Sequence, residues 1–244
     1  MGDRTAGKRG RLPSQKLDMG TLHDYMRSNI PTPPTAVDYS PRVKSYPMAL
    51  NDEYGDCTIA GAIHMLQLQY AEVGEDFKYP GDEAVKEEYF KLTGGADGGL
   101  VEASVLQTWM SQGIFGNKIS AFSPVNIKNR QEMTAAIYLF GSVYLGVNLP
   151  GNAEEQFENH KPWTVSVPQE APVGGHCVIA TGYNNLGIDL ITWGAVQSAT
   201  WEWWEAYGEE AWVVIPEVFT EIDHGPVWAI DIIALQEDIK NLDK

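Results

Sequence analysis

Apolar residues recur at helical spacing after Asp56, where Ile59, Ala62, Ile63, Leu66 and Tyr70 share one face. The preceding run, Asn51–Asp56 (NDEYGD), is polar and turns at Gly55. The pattern therefore predicts a loop, an N-cap at Asp56 and a helix whose first turn holds Cys57. Similar spacing predicts helices over Asp82–Leu92 (Ala84, Val85, Tyr89, Leu92 inward) and over Val101–Gln112 (Leu106, Trp109, Met110 inward). Asn129-Arg-Gln-Glu132 has capping-box spacing, followed by Met133, Ala136, Ile137 and Phe140 on one side.

Beyond that point the period shortens. Ser142–Leu149 alternates like a strand, Cys177–Thr181 is a short apolar run, and strands and turns continue to Ile215. Pro150–Pro172 reads as a long polar loop, and Ile230–Leu242 as a terminal amphipathic helix. Trp201, Trp203, Trp204 and Tyr207 crowd at helical spacing, which favours packing over ligand stacking. Helices followed by strands make an α+β pattern. The helical lobe is placed at about residues 50–113 and a mostly antiparallel β lobe at about 114–235.

Ahead of this domain, residues 1–16 carry Arg4, Lys8, Arg9, Arg11 and Lys16 against one acid, Asp3. Glycine-rich and nearly free of apolar side chains, this arm cannot form a core of its own. A short helix is expected within Leu17–Asn29, and the IPTPPT run Ile30–Thr35 breaks it. Residues 1–36 thus form a basic arm and Pro-rich linker, and residues 37–244 the domain. The arm is a candidate for docking on an acidic protein partner.

Composition narrows the function. A net charge of −16 argues against general nucleic-acid binding, because phosphate contacts need Lys and Arg. No run of eighteen apolar residues and no secretory h-region is present, so neither a membrane span nor a signal peptide is expected. A cytoplasmic or particle-associated setting follows, with two free thiols. The Gly-rich stretch Thr93–Gly99 lacks the phosphate-loop pattern, and a cation site at Asp97 is less expected than a flexible loop. No metal or cofactor is expected.

The chemistry concentrates at two places. A thiol at a helix N-terminus feels the positive end of the macrodipole, which favours thiolate. Cys57 has that position, and 119 residues later Gly174-Gly175-His176 leads into an apolar strand that ends in Thr192-Trp193-Gly194. In a strand Cys177 points to the face opposite His176, so it is expected in the core. His64, two turns along the helix, lies about 10 Å from the thiol and reads as a core residue.

Asn51–Gln67, Gly174–Gly194, the capped helix and strand of Asn129–Leu149 and the closing strand Glu210–Ile215 come in the order of the papain-like cysteine peptidase fold, which this chain resembles. The YGDCT and TWG phrases are most similar to uncharacterised papain-like proteins of actinobacteria and their phages. The resemblance implies a helical lobe with a central Cys-bearing helix packed on a β lobe. It implies Cys57 as nucleophile, His176 as base, and the Cys57 N–H with the Asn51 amide as oxyanion donors. Asn51 stands where the family has a longer Gln. Ile191 stands where the family has the Asn that orients the His, and Asp189 is the candidate substitute one pleat away. Gly55, Gly175 and Trp193 are the expected substrate-lining positions. Two readings follow: a hydrolase of peptide or isopeptide bonds, or a catalytically silent structural or binding component, as of a phage particle, docked through its arm.

Overall fold

A computed structural model describes residues 3–28, 31–221 and 228–242. Residues 1–2 of the arm, Asn29 at the end of the predicted short helix, Ile30 of the linker, residues 222–227 of the predicted β lobe and residues 243–244 lie outside the described residues.

In chain order the elements are α1 (Leu22–Tyr25), β1 (Val37–Asp38), α2 (Cys57–Glu72), α3 (Asp82–Thr93), α4 (Glu102–Ser111), β2 (Ile119–Pro124), α5 (Arg130–Phe140) and β3 (Val143–Pro150). There follow α6 (Asn152–Glu158), β4 (Pro172–Tyr183), β5 (Gly187–Thr192), β6 (Ala195–Thr200), α7 (Trp201–Tyr207), β7 (Gly208–Pro216), α8 (Glu217–Glu221) and α9 (Ile232–Asn241). The strands form one antiparallel sheet in the order β2-β7-β3-β4-β5-β6, with β1 added on β4. Helices first, antiparallel sheet second: the α+β prediction is the fold.

Helix α2 is buried almost all round, which a one-faced pattern did not predict, because it runs between α3, α4 and the sheet. Gly61 makes this possible. A Cβ there would lie 3.0 Å from the Cys177 sulfur, 3.1 Å from the Tyr144 ring and 3.2 Å from Ile179, so the helix backbone rides directly on β4. Cys177 is therefore a core thiol, as its strand parity suggested, and both cysteines are free.

Three local expectations are corrected. Asp56 precedes the helix, but at φ −98° and ψ 19° its side chain accepts nothing from the first turn. Its carboxylate takes the Asn51 amide instead. Asn129 does cap α5, accepting from Gln131 and Glu132, yet Glu132 reaches back to the N–H of Asn126 rather than closing a box. The Pro150–Pro172 stretch is not all loop: Ala153 and Phe157, four apart, anchor α6 against the core, and Glu154 and Glu155 favour its first turn.

Candidate active site

Cys57 opens α2, where the first backbone N–H groups have no partner within the helix. Its sulfur lies 3.4 Å from the Cys177 backbone N, against the peptide that joins His176 to Cys177. That peptide sits in β4, which pairs His176 with Val147 of β3. Two segments 119 residues apart are thus brought to one point by the packing of α2 on β4.

The side chain that meets the His176 ring is that of Thr192. Its hydroxyl lies 2.7 Å from His176 Nε2. Asp189, the predicted substitute, instead accepts from Ser198 at 2.6 Å, and Ile191 pairs with Ile179 across the sheet. Thr192 was missed because the family's position aligns with Ile191, one residue earlier. The other ring nitrogen, Nδ1, is buried and has no hydrogen-bond partner among the described residues.

Trp193 covers this pair. Its ring lies 4.8 Å from the His176 ring at 30°, and it meets Phe157 edge-on at 4.9 Å. The cost is local. Trp193 and Gly194 link β5 to β6 as a two-residue turn with φ of 45° and 71°, and a bulky residue rarely adopts the first of these. Stacking on the imidazole and burial among Phe157 and Trp163 offset a strain of order 1 kcal/mol.

Asn51 is buried in the loop that leads into α2, but both protons of its amide are already taken. One goes to Asp56 Oδ1 at 3.1 Å and the other to the Tyr54 carbonyl at 3.3 Å. Asp97, the candidate cation ligand, is a strut: its Oδ1 accepts from the Gly55 N–H at 2.9 Å and from Tyr89 Oη at 2.7 Å. Tyr89 Oη accepts in turn from the Gly99 N–H at 3.0 Å, so the glycine loop is tied to the loop that leads into α2. No cluster of His, Cys, Asp and Glu able to hold a metal occurs among the described residues.

Sequence reasoning missed what fills the groove between the lobes: the chain's own N-terminal arm. The Lys8 N–H donates to Asn51 O at 2.5 Å, Arg11 N–H to Gly175 O at 3.2 Å, Leu12 N–H to Leu100 O at 2.9 Å, and Leu100 N–H to Gly10 O at 2.9 Å. The seam is glycine against glycine. A Cβ at Gly10 would fall 1.6 Å from Gly55 O, one at Gly99 2.1 Å from Gly10 O, and one at Gly175 2.2 Å from Arg11 O. Gly7 packs as closely on Asn51 and Trp193. Gly55, Gly175 and Trp193, the positions expected to line a substrate groove, each touch the arm: Gly55 against Gly10, Gly175 against Arg11, and Trp193 against Gly7. Ion pairs of Arg9 with Glu154 and of Arg11 with Glu209 and Glu210 fasten it.

This lid sets the electrostatics. Cys57 and His176 are each 1% exposed. Burial pushes the thiol up to about 12, and only partly do backbone N–H groups of Cys177 and Gly10 oppose it. Burial, with the Arg9 and Arg11 charges, pushes the imidazole down to about 3. Both groups are neutral at pH 7 with the arm in place. His64 is likewise buried and lowered to about 4 by desolvation, with Nε2 at 2.8 Å from Pro47 O, so it is the core residue expected.

No protein-family model and no curated protein sequence matches the chain. Solved structures do. Xylellain, a cysteine protease from Xylella fastidiosa, superposes with a TM-score of 0.65 at 14% identity, over 88% of this chain and 98% of that one. The Carica candamarcensis cysteine protease CMS1MS2, in complex with E-64, gives 0.55 at 15% identity over 75% and 98%. Procathepsin B S9 from Trypanosoma congolense gives 0.58 at 12% identity over 88% and 87%. At these identities the likeness is one of fold, and the fold is papain-like.

Proposed function

We propose that the chain is a papain-like cysteine hydrolase of peptide or isopeptide bonds, held closed by its own N-terminal arm. The observation that carries this reading is the buried juxtaposition of Cys57, at a helix start, with a strand histidine whose Nε2 meets Thr192. When Nε2–H donates to the Thr192 hydroxyl, Nδ1 keeps its lone pair and can take the thiol proton.

Departure of the arm admits water and substrate and removes the Arg9 and Arg11 charges, which favours a thiolate–imidazolium pair. The sulfur then attacks the carbonyl carbon, a C–S bond forms, and negative charge develops on oxygen near the Cys57 N–H. His176 returns the proton to the leaving nitrogen as the C–N bond breaks. Water, deprotonated by His176, cleaves the thioester and restores the thiol. Asn51 supplies a second donor only by releasing Asp56 or Tyr54, which makes oxyanion stabilisation the weak step of this site.

A silent phage-particle component, docked through residues 1–36 on another protein, is the alternative. The arm's fit to its own cleft and the presence of an orienter favour the hydrolase. No described helix is long and apolar enough to cross a membrane, and the cytoplasmic or virion setting is part of the proposal.

The test uses the full chain carrying Gly10→Val, whose Cβ cannot fit beside Gly55 O. Fluorescent casein should be cleaved at least tenfold faster than by wild type, and Cys57→Ala in that background should abolish cleavage. A folded Gly10→Val chain without turnover, or turnover that survives Cys57→Ala, contradicts the reading.

A further inference from the structure

Beside the dyad the groove opens into a pocket walled by acids. The Arg11 side chain fills it and is 1% exposed. Nη1 donates to Glu210 Oε1 at 2.7 Å and to the Leu12 carbonyl at 3.2 Å. Nη2 donates to Glu209, to Asn148 Oδ1 at 3.0 Å and to the Val147 carbonyl at 3.5 Å. Behind the guanidinium stands Glu102, fully buried at the start of α4, between the Arg11 charge and the Cys177 thiol. Gly146 of β3 leaves the space: a Cβ there would lie 2.6 Å from Glu210 and 2.9 Å from the Arg11 Cδ.

Two buried carboxyl groups, Glu102 and Glu210, and the partly exposed Glu209 are brought around Arg11 by the starts of α4 and β7, and none of them belongs to the arm. Buried acids without a cation are costly, so the pocket is built for a cationic occupant. The occupant's shape is also specified. The pocket's own acceptors, two side-chain carboxylates, one amide and the Val147 carbonyl, meet both terminal nitrogens, while Nε is left without a partner among the described residues; two nitrogens held apart in one plane suit a guanidinium better than a point-charge ammonium. The backbone N–H of the same residue donates to Gly175, two residues before Cys177, whose own N–H meets the Cys57 sulfur.

We infer that this pocket is the specificity site of the groove and takes an arginine side chain of a peptide substrate, Arg11 being its intramolecular stand-in. The inference rests on the hydrolase reading for the word substrate, while the pocket's preference can be measured without turnover.

The full chain carrying Gly10→Val and Arg11→Ala vacates both groove and pocket. Fluorescein-labelled GKRGRLPS, the sequence of residues 7–14, is titrated against it by anisotropy, beside the same peptide with norleucine or lysine at the fifth position. The arginine peptide should bind on the order of 100-fold tighter than the norleucine peptide and clearly tighter than the lysine one. Glu209→Gln with Glu210→Gln should erase most of that difference. Equal binding of the peptides, no binding of any, or indifference to the Glu changes overturns the inference. Should the double variant not fold, the Arg11→Ala chain serves. Millimolar ethylguanidinium should then slow alkylation of Cys57, ethylammonium should not, and no slowing overturns the proposal.

Cleavage of peptides by the Gly10→Val, Arg11→Ala chain separates the two claims. Cleavage without preference for arginine sinks the pocket and keeps the hydrolase. Arginine-selective binding without cleavage keeps the pocket and sinks the hydrolase.

Discussion

Two seams meet at Cys57, and both depend on glycine. Behind the residue, Gly61 lets α2 lie on Cys177, Tyr144 and Ile179 in an apolar, fully buried contact. In front of it, Gly10 lets the arm lie on Gly55 and Gly99 through backbone hydrogen bonds and arginine ion pairs. Apolar burial stabilises about 25 cal/mol per Å² and has no substitute in water. Hydrogen bonds and the partly exposed Arg9–Glu154 pair can be exchanged for water or for another peptide at small net change, and the buried Arg11 pairs for those of another cation. The first seam is built to stay, and the second to be replaced.

Thr192 sits where the seams join, and its loss should have the largest effect. Thr192→Val in the Gly10→Val background should lower kcat by roughly 10²–10⁴ with KM little changed, as expected when a catalytic histidine loses its orienter. An unchanged kcat would leave the hydrogen bond without a role. Gly61→Leu strikes the permanent seam. Overpacking against Cys177 and Tyr144 should cost about 3 kcal/mol or more, read as a fall of roughly 6–12 °C in Tm. Gly10→Val should move Tm far less. Equal falls would erase the distinction between the seams.

A smaller effect is set by pH. Burial raises the Asp56 carboxyl to about 8, with Oδ2 unpartnered. Below about 8 the folded chain keeps a proton that an unfolded aspartate has lost above about 4, so this group makes stability fall as pH rises through that window. Buried His64 and His176, lowered to about 4 and about 3, act oppositely. The unfolded chain takes up their protons below about 6.5, and stability falls with acid there. Between pH 6.5 and 8 the Asp56 contribution stands clear of them. Asp56→Asn should remove a loss of about 2 kcal/mol in urea melts compared at those two values. The smallest effect is that of salt: 1 M NaCl should raise Cys57 alkylation in the wild-type chain a few-fold by weakening the arm's partly exposed ion pair between Arg9 and Glu154.

The permanent seam was legible in the sequence, and the replaceable one was not. Apolar spacing through Ile59, Ile63 and Leu66 and the Gly-Gly-His strand are local signals of one period each, and they point to the helix that Cys57 opens and the strand that carries His176. Thr192 escaped because register decides which residue of a strand end meets a histidine on its neighbour, and register is not local. Arg11 escaped for a stronger reason: its partners lie 198 and 199 residues away, and charge pairing leaves no periodic trace. One clue was available. A basic, glycine-spaced arm in a chain of net charge −16 has its own acids as the nearest partner. The α6 helix was hidden by polar composition, although Ala153 and Phe157 keep helical spacing.

The account turns on Cys57 being a nucleophile served by His176 beneath a removable arm. Its most direct test is the rate of iodoacetamide alkylation at each cysteine at pH 7, read by peptide mass in the full chain with Gly10→Val, with and without His176→Ala. The account predicts Cys57 labelling at least tenfold faster than in wild type and faster than Cys177, with the gain lost on His176→Ala. Equal labelling of the two thiols, or a Cys57 rate indifferent to His176, would contradict it.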